Sequence, residues 1–384
     1  MPYFIPLGIP DFKGKKDRDF IQVSYLIEGN DAVELTIQIR DGGKIIYQEK
    51  ITDSSKLTKG EHRWKWNGFD SNGIYDSAVF TTAKDLNIYT IAIDNEENYS
   101  RKRVEFTAKY SEVKWVDVKI NKNTKRIDVT LRVNLKDGGE IGTEKDCIQV
   151  GSGQYSSIKT VCPWEKIPEK DIKRYGNSPI KSRTKSFKDL KQLALEGLSY
   201  HWGRNKNHFI AKNVDINGEL YEVFVNAINT TKKAMDDVDL IFNTNHKWMR
   251  SGNPGTVEDP ISFVGNIVSR EAICYNVGYI KYSKRWNYNQ PHNEDLEFKF
   301  TSAHEIGHTI LKAYGGTFYS YGHKGSVNTI TQSESSEAKA YPKKGEIDIM
   351  PYYANVIPYY KYDNFSAANN DVVSLIWLTK IELK

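Results

Sequence analysis

Three residues in one short stretch, His304, Glu305 and His308 of TSAHEIGHTILKAYGG (301–316), have types and a spacing that do chemistry together. On a helix of about 3.6 residues per turn, positions four apart share a face, so His304 and His308 offer two imidazole nitrogens to one metal ion. Glu305 sits one residue round. It can reach a water on that metal without being a ligand, and so can take a proton from it. Imidazole suits zinc, and three protein ligands leave a fourth position open for the water. The expectation is therefore a bound Zn2+ and hydrolytic chemistry. The plain alternative is an ordinary amphipathic helix with two histidines facing solvent.

The elements that must position these groups are legible nearby. Ser302 is a good N-cap, Gly315 and Gly316 are stops, and Ala303, Gly307, Ile310, Leu311 and Tyr314 recur at helical spacing. The small residues Ala303 and Gly307 would let another backbone approach closely. A third ligand must come from downstream. The short metzincin pattern is absent, because Leu311 and Tyr314 stand where its Gly and His would be. Two donors remain, His323 in YGHKGS and Glu346 in GEIDIMPYY, and zinc accepts either type. If Glu346 binds, His323 is free to stabilise the oxyanion or orient substrate alongside Tyr352 or Tyr353. Otherwise His323 reads as a loop histidine bonded to backbone. Asp348 is either an acceptor for His304 or His308 or a solvated turn residue. Glu334 and Glu337 lie in a polar run that reads as solvent-exposed, and His201, His208, His246 and His292 lack spacing partners.

The 384 residues imply two or three units. With 39% hydrophobic and 12% aromatic residues, the chain is globular and not disordered. A net charge of +5 arises from interspersed basic and acidic residues, which is a solvated surface and not a nucleic-acid footprint. No apolar run is long enough to span a bilayer, and the N-terminal MPYFIPLGIPDFKGKKD lacks the features of a signal peptide, so export would need another route. Cys147 and Cys162 flank a Gly/Ser-rich loop and either pair in an oxidising compartment or remain thiols. With Cys274 they show no CxxC spacing.

In chain order, FIQVSYLI, VELTIQIR, KIIYQEKI, AVFTTA, LNIYTIAI and KRVEFTA alternate apolar and polar residues between turn signals. This predicts an all-β immunoglobulin-like sandwich over 1–110. WKWNGFDSNGIYDSAVFTT (64–82) resembles a turn of the immunoglobulin-like domains of flagellar hook-capping proteins and secreted bacterial proteins, with Trp66 anchoring the core. Residues 111–384 form the second domain. VKWVDVKI and RIDVTLRVNL open it as strands, 136–185 reads as a long surface loop, and Ser186 starts a helix. YEVFVNAI, VDLIFNTN, FVGNIVSR and AICYNVGYIKY follow as strand material, and Val372, Val373, Ile376 and Trp377 share a face of a last helix. Strands, long helix, strands and metal helix make the α+β layout of a zincin metallopeptidase, with a sheet edge that an extended peptide can join.

HEIGH, YGHKGS and GEIDIMPYY together resemble the zinc metallopeptidase toxin domains attached to type VI secretion spike proteins and other polymorphic toxins, over about 113–384. Met350 followed by Tyr352 is similar to the methionine turn of metzincins. The resemblance implies Glu346 as third ligand beside His304 and His308, with Glu305, Tyr352 and His323 acting on substrate. It further implies a secreted antibacterial effector acting in the target-cell periplasm on protein or peptidoglycan stem peptides, with an immunity protein and a secretion spike as partners. Two other readings share the scaffold: a binding or adaptor module, and a zinc-dependent peptidoglycan amidase.

Overall fold

A computed structural model describes residues 3–151, 158–252, 271–329 and 333–384. The chain is multi-domain and β-rich, about 38% strand, with several sheets and a smaller share of helix. It divides into two compact units. The first comprises 1–130, 213–224 and 369–384, and the second 131–212 and 225–368. These are not the contiguous segments 1–110 and 111–384. The reason is local: the strands Arg126–Ile141 and Glu219–Asn229 each straddle a division, so the chain leaves the first unit twice within regular structure.

In the first unit the alternating runs form strands as their period demands. Lys44–Ile51, Ala32–Asp41, Leu86–Asp94 and Tyr99–Glu105 make a four-stranded antiparallel sheet in that order. Ile21–Ile27 pairs antiparallel with Gly60–Trp66. Leu35, Ile37 and Ile39, two apart on one strand, are all buried. Trp66 is buried and its indole N–H donates to the Phe69 carbonyl at 2.7 Å, while the Asp70 carboxylate accepts from the amides of Asn72 and Ile74, building the turn that the sequence indicates. AVFTTA is not a strand. Asp76 caps a short helix, Ser77–Thr82, by accepting from the Ala78 amide, and that turn carries Phe80 against Trp66 and Tyr75.

The second unit is built around three parallel strands. Asp237–Asn243 lies between residues 134–141 of the long strand, whose register shifts between Asp137 and Glu140, and Ala272–Asn276, with which it pairs without a break. Every residue of Ala272–Asn276 is buried, as expected of a parallel strand covered on both faces. Gly278–Tyr282 turns back on Arg285–Asn289. The FVGNIVSR run falls outside the described residues. Residues 136–185 are more ordered than a loop: Ile148–Val150 pairs with Lys159–Val161, Cys147 and Cys162 form a disulfide, and Glu169–Tyr175 is helical. A small apolar cluster of Ile167, Tyr279 and Trp286 gives that segment something to pack on. Cys274 is a buried free thiol.

Two helices carry the rest. Phe187–His201 starts at Ser186, whose hydroxyl accepts from the Asp189 amide. Pro291–Gly315 runs 25 residues, so its N-terminus lies a full segment before Ser302, which is buried in mid-helix. Proline at the first position sets that start, and Gly316 at φ +85 ends it. The two helices meet backbone to backbone at Gly197, where a Cβ would stand 2.2 Å from the Lys299 carbonyl oxygen. Beside this contact the fully buried Trp202 donates its indole N–H to the Ala303 carbonyl at 3.0 Å.

Candidate metal centre

His304 and His308 project from the long helix, and His323 comes from the single turn His323–Gly325 that follows the short helix Thr317–Tyr321. Ring centroids lie 4.9 Å (His304–His308), 5.2 Å (His304–His323) and 4.6 Å (His308–His323) apart. One nitrogen from each can be chosen so that all three lie within 4.8 Å of one another. All three side chains are buried. His323 and Lys324 both adopt left-handed backbone, φ +47° and +58°, which costs roughly 1 kcal/mol or more at each such residue. The Ser326 hydroxyl donates to the His323 carbonyl at 2.8 Å, and Lys324 pairs with Asp348, so the surroundings hold the turn in place.

The outer nitrogen of each ring is fixed. Nδ1–H of His304 donates to the Ile349 carbonyl at 2.8 Å and that of His323 to the Tyr321 carbonyl at 3.0 Å. His308 Nδ1 lies 3.1 Å from the Ser320 hydroxyl, which itself donates to the His308 carbonyl at 2.7 Å. A carbonyl only accepts, so these rings carry their proton on Nδ1 and present the bare Nε2 lone pair inward. Nε2 of His304 and of His323 is buried with no hydrogen-bond partner. An unsatisfied buried acceptor costs about 1–3 kcal/mol, so two in one cluster require an explanation, and a cation provides it. Burial lowers the His304 pKa to about 4 and the His323 pKa to about 3, and drives that of His308 well down, which keeps the imidazoles in the neutral form that binds metal. The donor set and the orphaned nitrogens both fit a divalent ion of zinc type.

Glu305 faces a cleft of about 370 Å³ whose walls also include Arg250, Glu294, Glu297, Phe300 and Tyr352. Burial lifts the Glu305 carboxyl to about 7, against the opposing pull of the Arg250 charge. The Tyr352 ring packs 4.1 Å from His323 and 5.8 Å from His304, and its amide donates to the Ser326 hydroxyl at 2.8 Å. Tyr353, the other phenol under consideration, donates its hydroxyl to the Asp348 carbonyl at 2.9 Å. Beneath the helix the close neighbours of Gly307 are side chains and not a second backbone: a Cβ there would lie 2.7 Å from Met350 Sδ and 2.9 Å from the Trp202 ring.

Glu346, the ligand that the family resemblance implies, stands apart from this group. Its two oxygens take the Arg204 guanidinium as a fork, both contacts at 2.8 Å, and Arg204 also donates to the Ser366 hydroxyl and the Ala367 carbonyl at 3.0 Å. Arg204 is buried, and a carboxylate engaged on both oxygens by a buried cation is committed to it. Asp348 likewise serves Lys324 and the Met350 amide, while the His304 ring is held by the neighbouring Ile349 carbonyl. Sequence reasoning missed Ser320, Arg204 and Arg250. The latter two carry no periodic or spacing signal, and Ser320 acts only because a short helix folds it back onto His308. No protein family, curated protein or solved structure matches the chain.

Proposed function

We propose that the chain is a zinc-dependent peptidase of zincin type that hydrolyses amide bonds. The observation that carries this reading is the pair of bare, buried Nε2 atoms on His304 and His323, gathered with His308 beside the cleft-facing carboxylate of Glu305. His304, His308 and His323 would hold the metal, and Glu346 would not. A zinc ion there supplies a Lewis acid and an acidified water. The Glu305 carboxylate would accept a proton from a water in the cleft and return it to the leaving amine nitrogen. The Tyr352 hydroxyl, in the cleft wall, would stabilise the oxygen on which negative charge develops. The parallel strands and paired helices of the second unit support the zincin architecture, and the antiparallel sheets and Trp66 turn of the first unit support an immunoglobulin-like carrier.

The disulfide between Cys147 and Cys162 supports action in an oxidising space, consistent with an antibacterial effector working in the periplasm of a target cell on protein or peptidoglycan stem peptides. Among the described residues no helix is long and apolar enough to cross a membrane. In this reading an immunity protein and a secretion spike are the partners. The test pairs metal content with turnover. Wild type should carry one zinc per chain and cleave peptide or muropeptide mixtures, followed by mass spectrometry. Glu305→Gln should keep the zinc and lose on the order of 10²–10⁴ in rate. A metal-free wild type, or full turnover by Glu305→Gln, defeats the proposal.

A further inference from the structure

Two arginines of the second unit, Arg204 and Arg250, have opposite outcomes. Arg204 is buried and fully engaged by Glu346. Arg250 is half-buried in the wall of the cleft and makes no ion pair among the described residues. Among the described residues its guanidinium makes one hydrogen bond, a long one of 3.4 Å from Nη2 to the Tyr352 hydroxyl. Partly desolvated guanidinium groups are ordinarily paired, because removing the charge from water without a counter-charge is unfavourable. Glu305, whose carboxyl feels the Arg250 charge, lines the same cleft, but among the described residues no carboxylate lies within ion-pair distance of the guanidinium.

The backbone that carries Arg250 is tied down. The Asn276 side chain accepts from the Met249 amide at 3.1 Å and donates to the Met249 carbonyl at 3.0 Å. The Ser251 hydroxyl accepts from the Cys274 amide at 3.0 Å, and the Gly252 amide donates to the Ala272 carbonyl at 2.9 Å. Residues 249–252 thus follow the strand Ala272–Asn276, and the Trp248 amide donates to the Lys281 carbonyl at 3.0 Å, which together fix the base of the arginine. The Tyr352 ring lies on His323, and Arg250 meets the hydroxyl end of that ring. An oxygen at the reacting carbon falls to Tyr352, and a group one or two residues along the peptide falls to Arg250.

We propose that Arg250 is a carboxylate receptor, which makes this cleft selective for peptides with a negative group within one or two residues of the cleaved bond. A planar fork of donors matches a planar carboxylate with two parallel hydrogen bonds, which a phenol or an ammonium cannot do. The shared ligand chemistry is a carboxylate, supplied by a free chain terminus or by an acidic side chain. This inference rests on the peptidase reading and names the substrate class for the same site.

The test uses binding, not turnover. Malonic hydroxamate, whose hydroxamate takes the metal, is coupled to leucine with a free α-carboxylate, to leucinamide, and to aspartic acid α-amide, and each is titrated calorimetrically into the zinc-loaded full chain. One of the two acids should bind roughly 10-fold to 100-fold more tightly than leucinamide, the range for a hydrogen-bonded charge. The leucine acid winning assigns a chain terminus, and the aspartamide winning assigns an acidic side chain. Arg250→Met should erase the preference while leaving leucinamide affinity unchanged, and Arg250→Lys should retain part of it. Equal affinity of wild type for all three overturns the receptor and leaves the metal centre standing. Failure of all three to bind removes the metal centre, and the receptor falls with it.

Discussion

Two groups of histidines lie in the second unit, and burial does not tell them apart. His201 and His208 are as inaccessible as His304, His308 and His323. The difference is in what their nitrogens do. His201 Nδ1 and His208 Nε2 both meet the Phe365 carbonyl, at 2.8 and 3.1 Å, and His208 Nδ1 accepts from the amides of Ile210 and Ala211. That pair forms a bracket that ties a loop to the backbone of Phe365. In the triad the outer nitrogens are bonded and the inner ones on His304 and His323 are bare. Among the described residues, a fully buried ring nitrogen left without a partner is found on His304 and His323 and not on His201 or His208, and that is what points to a ligand.

The largest effect expected from this contrast comes from removing one member of each group. His323→Ala should abolish stoichiometric zinc binding, whereas His208→Ala should retain one zinc per chain and lose about 1–3 kcal/mol of stability from the stranded amides. Metal analysis and denaturant titration of both variants decide this, and equal zinc contents would break the contrast. A second effect concerns pH. His201 is kept neutral by burial, with a pKa of about 4 against 6.5 in an exposed chain. Below pH 6.5 the unfolded chain takes up a proton that the fold refuses, so this contribution is complete above 6.5 and is lost as pH falls toward 4, about 3 kcal/mol in all. His201→Asn should flatten the slope of unfolding free energy over that window by about one proton, and an unchanged slope would show that the bracket titrates as an exposed pair. The smallest effect is on Glu346. Glu346→Gln should leave zinc stoichiometry untouched while weakening the Arg204 contact, and loss of the metal would restore Glu346 as a ligand.

Much of the fold follows directly from pattern. Period-two runs became the antiparallel sheets, Ser186 and Asp189 capped their helix, and the buried VDLIFN and AICYN runs became parallel strands. Failures came where a short polar signal outweighed periodicity. Asp76 turned an alternating run into a helix, and Pro291 moved the start of the long helix upstream of Ser302. In the site, two candidate ligands and the carboxylate between them were readable because one helical turn fixes their geometry. The third was ambiguous, since His323 and Glu346 are both competent donors and sequence distance does not order them.

The sequence by itself determined the local chemistry: the imidazole pair on one helix face, the neighbouring acid, and the alternation that builds the sheets. All of these depend on contacts within a few residues, where backbone geometry is nearly fixed. Only the tertiary structure decided that Arg204 claims Glu346, that a left-handed turn delivers His323 to the pair, and that Arg250 lies in the cleft wall with no ion pair among the described residues. Those outcomes are set by which charges are buried together across large sequence separations, and the pairing of buried charges is a property of the packed interior that no local pattern encodes.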